Sequence, residues 1–147
     1  MKKILIILSI IILSYNSYSQ DEFEIPKGTN KIILRTELNE RDNFKLILRV
    51  LKENDFEIKQ IDTTTYQILT SQKKLEKTFS TYTLNFNVFN QLISVTGNKY
   101  TEISPITNDE IKNWGLKNSD PKLIFGKMNE LCLKIVSQDK IEYTTKN

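Results

Sequence analysis

The amino-acid sequence predicts an α+β fold: an antiparallel β-sheet in the order β-α-β-β-β-β-α, with two helices packed on one face. Three patterns lead there. Residues 79–89 and 92–100 alternate apolar and polar side chains on either side of a two-residue break. Two other segments, near 40–53 and 121–137, repeat apolar residues every three or four positions. Almost every strand-like run has one oily side and one polar side, so both helices can cover the same oily side and leave the other to solvent or a partner.

Each element has its own warrant. In Lys31 to Leu38, Ile32, Leu34 and Leu38 alternate with Lys31, Arg35 and Glu37, which reads as a strand. Asn39 is placed to cap a helix, its side-chain oxygen accepting from the backbone N–H two or three residues on, with Asp42 reaching back. That helix is expected from Glu40 to Glu53, with Phe44, Ile47, Leu48 and Leu51 in one stripe widened by Leu46 and Val50. Asn54-Asp55 ends it, both residues tolerating the left-handed backbone of a helix stop.

Phe56 to Asp62 and Tyr66 to Ser71 flank three threonines and suggest a hairpin. Gln72 to Lys77 is polar and reads as a corner. Phe79 to Phe89 is the clearest strand: Tyr82, Leu84, Phe86 and Val88 point one way, Thr81, Thr83, Asn85 and Asn87 the other. Asn90-Gln91 turns the chain into Leu92 to Tyr100, with Ile93 and Val95 facing inward. Thr101 to Asp120 loses periodicity and is expected as an irregular connection, with Asn108 capping one short helical turn that reaches Trp114. Ser119-Asp120-Pro121 then starts a second helix, expected to run to about Ser137 on a stripe of Ile124, Met128, Leu131 and Ile135, with Phe125 and Cys132 alongside.

The flanks divide the chain further. Lys2 and Lys3, the apolar run from Ile4 to Leu13 and a polar stretch ending Ser17-Tyr18-Ser19 have the three zones of a secretory signal, with cleavage expected after Ser19. About ten apolar residues span only ~15 Å of a ~30 Å hydrocarbon core, too little for a membrane anchor. Residues 20–30 read as a flexible lead, 31–137 as the single domain, and 138–147 as a tail with a brief extended piece at Ile141 to Tyr143. The expected location is therefore periplasmic or secreted, with no stable membrane insertion after cleavage.

Without Lys2 and Lys3, 19 basic residues face 18 acidic ones, so the overall balance offers no support for a nucleic-acid partner. The element order over about residues 30–137 resembles the TATA-binding-protein-like and helix-grip folds, which also occur in envelope domains such as that of the outer-membrane assembly lipoprotein BamC. At residue level, Pro26-Lys27-Gly28, Asn39, Trp114-Gly115 and Ser119-Asp120-Pro121 are similar to features of a loose group of small exported bacterial proteins. The resemblance implies a fold and an envelope setting, and carries no catalytic residue across. The single cysteine, Cys132, is far from the cleavage point, so the lipid tether of a lipoprotein is not expected.

The chemistry open to the chain is narrow. Histidine is absent, which removes Ser-His-Asp and Cys-His sites and histidine-based metal sites. Four glycines in the whole chain form no phosphate-cradling motif. Cys132 lies in an apolar stripe, where a thiol packs as a small hydrophobe. Lys73, Lys74 and Lys77 could contact an anionic lipid or polymer, or simply solvate a corner. Glu37, Asp42, Asp55, Glu57, Asp62, Glu102, Asp109 and Glu110 are the carboxylates from which a hydrolytic pair would be drawn.

Trp114 stands out because it lies in the longest irregular segment, where binding residues collect; the competing role is a lid over the core. The expected function is thus non-catalytic: an exported envelope binding or assembly module, without cofactor or metal, that recognises an envelope protein or glycan. The surfaces expected to carry it are the polar sheet face (Thr81, Thr83, Asn85, Asn87) and the Trp114 loop with Tyr100. Two alternatives are a carrier of a small apolar ligand between sheet and helices, and a carboxylate-based hydrolase with two acids roughly 5–9.5 Å apart.

Overall fold

A computed structural model describes residues 24–76, 78–101 and 104–145, with 104–109 as backbone only. The expected signal at 1–19, together with Lys77 and Glu102, lies outside these residues. In chain order the elements are β1 (Thr29–Arg35), α1 (Glu40–Glu53), β2 (Ile58–Asp62), β3 (Gln67–Thr70), β4 (Lys73–Lys74), β5 (Ser80–Phe89), β6 (Leu92–Thr101), β7 (Ser104–Glu110), α2 (Asp120–Cys132) and β8 (Ile141–Thr145). The described strands form one antiparallel sheet in the order β2-β3-β5-β6-β1-β8, with β4 added to β5 and β7 to β6.

The α+β architecture is the one the alternation implies. One ladder row carries Phe86, Val95, Ile32 and Tyr143 across β5, β6, β1 and β8; the next row carries Asn87, Ser94, Ile33 and Glu142. The first row joins the core and the second lies on the side without helices. Both helices bury their stripes in the same cluster: Phe44, Ile47, Val50 and Leu51 from α1, and Ile124, Phe125, Met128, Leu131 and Cys132 from α2. Leu46 and Leu48, assigned to the α1 stripe from spacing, are only partly buried at its margin.

Local chemistry sets the ends of α1. The Asp42 N–H donates to the Asn39 side-chain oxygen at 3.0 Å, and Asn39 Nδ2 donates to the Asp42 carboxylate at 2.8 Å. Asp55, at φ +57°, takes the left-handed stop after Asn54. The N–H groups of Thr64 and Thr65 donate to Asp62 Oδ1, closing the turn between β2 and β3. A hydrogen bond from the Thr65 side chain, followed by those backbone bonds, holds the Asp62 carboxyl below its ordinary pKa.

Four regions depart from the sequence reading. The polar corner contains β4, and Leu75 beside it is buried in the core, because β5 is longer than β3 and leaves an edge for β4 to pair. Where β3 gives way to β4, the Leu84 N–H donates to Thr70 Oγ1 instead of a strand carbonyl. The connection expected to hold a helical turn at Asn108 instead forms β7, on the part of β6 that β1 does not reach. Tertiary pairing outweighs weak local propensity there. Helix α2 stops at Cys132, after which the Lys134 and Ile135 N–H groups bond three residues back. The expected tail provides β8, whose Ile141 and Tyr143 pack against the core.

Candidate functional site

The Trp114 segment is built from the edge of the sheet outward. Beyond β7 the chain keeps a strand-like alternation: Ile111 and Asn113 are buried, Lys112 is half-buried and Trp114 is 55 % exposed. The Ile111 N–H donates to the Gly97 carbonyl at 2.9 Å, and the Asn113 N–H donates to the Thr29 carbonyl at 2.7 Å. Asn113 then ties the loop to the lead: its Nδ2 donates to the Ile25 carbonyl at 2.9 Å, and its own carbonyl accepts from the Gly28 N–H at 2.6 Å. Gly115, at φ +75°, donates its N–H to Asn113 Oδ1. A side chain there would be strained, so glycine follows the tryptophan.

Trp114 is therefore held outward by a buried asparagine. The Trp114 side chain is not among those that pack against the core cluster. The Lys112 ammonium stands 5.0 Å from the centre of its ring, a cation–π contact that orders the indole while leaving much of it open. Nothing in the local sequence singles out Asn113; its role comes from bonds to residues some 87 or 88 positions away.

The polar-face residues fall where alternation puts them, with one correction. Thr81, Asn85 and Asn87 are half-buried on the side away from the helices, opposite Tyr100, Thr96 and Ser94. Thr83 is only 3 % exposed. Its short side chain sits mid-sheet between Thr81 and Asn85 and opposite Asn98, while Gln72 bonds to the neighbouring Thr81, so Thr83 is no surface contact. Tyr100 pairs with Thr81 three residues along β6 from Gly97, where the Trp114 segment joins that strand. Tyr143 faces the helices, packs against the core and donates to Asn129 Oδ1.

The interior is filled by its own side chains. Leu84 and Met128 are 0 % exposed and Phe86 1 % exposed. Cys132 is wholly buried, and burial pushes its thiol up to about 12. It packs as a core residue. Among the described residues no group of three metal-binding side chains comes together, and no helix is long and apolar enough to cross a membrane.

A different concavity runs along the solvent side of α2. Two adjoining clefts, of about 210 and 870 Å³, share Leu75, Glu76, Lys127 and Glu130. Lys73, Lys74 and Lys134 line the smaller one, Lys117 and Lys122 the larger. Lys73 caps α1 by donating to the Asn54 and Asp55 carbonyls, with its ammonium 4.0 Å above the Phe56 ring. The sequence showed Lys73 and Lys74 in a corner; only the fold brings these two beside the lysines of α2. Gly126 opens on the larger cleft, and a Cβ there would meet nothing within 4 Å. Glycine inside a helix costs about 0.8–1 kcal/mol relative to alanine, and no contact within the described chain requires it here.

In comparisons with known proteins, the chain matches no family model and no curated sequence.

Proposed function

We infer that the protein is a non-catalytic binding or assembly module of the bacterial envelope, exported by the signal at its N-terminus and using the Trp114 loop with the adjoining open sheet face. The carrying observation is Trp114 itself: a large apolar ring 55 % exposed, on a segment pinned by four hydrogen bonds of Asn113 to Thr29, Gly28 and the carbonyls of Ile25 and Pro26. Exposed aromatic residues on rigid supports are favoured binding anchors, because little side-chain entropy is lost on contact. Asn85 and Asn87 add uncharged donors and acceptors on the open face. This chemistry suits an envelope protein or a glycan, both of which present apolar faces and hydroxyl or amide groups. The packed interior and the high pKa of Cys132 favour recognition over ligand carriage or thiol chemistry.

The test is affinity capture from the envelope extract of the source bacterium with wild type, Trp114→Ala and Asn85→Ala. Wild type retains a specific partner that Trp114→Ala loses, with a smaller loss for Asn85→Ala. Equal recovery by all three rejects both surfaces.

A further inference from the structure

Helix α1 carries a charged outer face, on the other side of the sheet from Asn85 and Asn87. At about 100° per residue, Arg41, Lys45, Arg49 and Lys52 fall within roughly 80° of arc and about 16 Å of length, opposite the buried stripe of Phe44, Ile47 and Leu51. All four are exposed. Asp42 and Glu53 lie to one flank, and no carboxylate falls inside the arc. Lys45 reaches Asp42 at 3.8 Å, an exposed pair of little strength, and Asp42 is already held by the Asn39 cap at 2.8 Å. Among the described residues Arg41, Arg49 and Lys52 form no ion pair. Like charges four residues apart, as at 41, 45 and 49, weaken a helix slightly, so the series does not serve the helix itself. Beside the stripe, Leu38, 40 % exposed, and the partly buried Leu46 line shallow depressions of about 350 and 270 Å³.

We propose that this face of α1 rests on an anionic lipid surface, as a reversible peripheral contact of the folded domain. Charge complementarity selects an anionic partner, and the leucines choose among anionic partners. A phospholipid surface offers negative headgroups in one plane for the four cations, and hydrocarbon just below them for Leu38 and Leu46. A soluble polyanion offers the charge alone. Single-stranded nucleic acid adds bases that stack on exposed aromatic rings, and the one aromatic residue of α1, Phe44, is buried. Each basic residue near an anionic surface strengthens binding about fivefold, so four give a contact that holds yet releases, and that weakens with salt. The helix layer then faces lipid, and the open sheet face is turned away from it. This contact stands apart from the role assigned to Trp114.

The experiment is vesicle co-sedimentation of the protein, purified after expression of the full chain. It uses vesicles of phosphatidylglycerol mixed with phosphatidylcholine, and of phosphatidylcholine alone; the neutral vesicles read any attraction of the N-terminal apolar run. Wild type is expected to bind the anionic vesicles about a hundredfold more strongly, and to lose that excess as salt is raised. Arg41→Gln/Arg49→Gln should reduce the excess about twentyfold, with its fold checked by circular dichroism. Lys31→Gln/Lys117→Gln removes the same charge from the open sheet side and the loop before α2, and should stay within about threefold of wild type. Leu38→Ser should weaken vesicle binding about threefold or more while leaving retention on dextran sulfate unchanged. Trp114→Ala keeps wild-type binding. The proposal is overturned if both kinds of vesicle bind equally, if the two double variants lose binding equally, or if Leu38→Ser leaves vesicle binding unchanged while dextran sulfate binds more tightly than vesicles. Loss of binding in Trp114→Ala but not in the arginine variant also overturns it.

Discussion

Helix α2 has two sides, and a glycine marks each. On the sealed side, Gly97 of β6 lies under the helix: a Cβ added there would come within 2.9 Å of Ile111 Cδ1 and 3.3 Å of the Met128 sulfur. The missing side chain lets sheet and helix approach. On the open side, Gly126 belongs to the helix itself and its missing side chain touches nothing. The first glycine is explained by packing and the second is not. Leu131 and Cys132 belong to the sealed side, while Lys122, Lys127 and Glu130 line the cleft on the other. One helix thus serves both stability and an open surface, and substitutions on its two sides should behave differently.

The largest expected difference is in alkali. Burial raises the Cys132 thiol from 9.0 to about 12, and burial, then Glu130 and Glu76, raises the Tyr82 phenol from 10.0 to about 12. Each folded pKa lies above its unfolded value, so the protonated forms favour the folded state. Their contribution is intact below pH 9 and is lost as pH rises towards about 12. For the thiol alone the loss is on the order of 4 kcal/mol by the end of that range. Urea unfolding at pH 8 and pH 11 should show the drop, and Cys132→Ala with Tyr82→Phe should flatten it; a pH-independent wild type would show that the sealed side admits water.

Next in size, Met128→Ala should destabilise by about 2–5 kcal/mol, since it empties a fully buried site between helix and sheet. Gly97→Ala should cost about 1–3 kcal/mol, because Ile111 and Met128 must move to admit a methyl group. Gly126→Ala on the open side should do the opposite and stabilise by about 0.5–1 kcal/mol. Thermal melts of the two glycine variants side by side test the comparison directly: equal signs would break it. Trp114→Ala should change stability by no more than about 0.5 kcal/mol, as its ring is mostly solvent-exposed. A larger loss would mean that the indole supports the fold.

Legibility followed the range of the interactions. The β5–β6 hairpin could be read directly, because Tyr82, Leu84, Phe86 and Val88 alternate without a break and Asn90, at φ +51°, accepts the tight turn. Helix α1 was equally clear from the Asn39 cap, the Phe44–Ile47–Leu51 spacing and the Asn54-Asp55 stop. By contrast β4, β7 and β8 carry little signal of their own; each exists because β5, β6 or β1 leaves an edge to be paired. Of the candidate site residues, Trp114 could be suspected from its place in an irregular stretch. Its exposure depends on Asn113 and on the lead residues Ile25 to Gly28. Thr83 shows the reverse error: period-two alternation assigns a face correctly but does not report how crowded that face is.

By itself, then, the sequence determined which side of each central strand is oily, where α1 begins and ends, and that these 147 residues include no histidine. Those properties depend on side-chain type and on neighbours within a few positions. The tertiary structure alone decided which strand edges were filled, that Trp114 faces outward, and that the lysines of the β4 corner stand beside those of α2. These depend on contacts between residues tens of positions apart, which local periodicity does not encode.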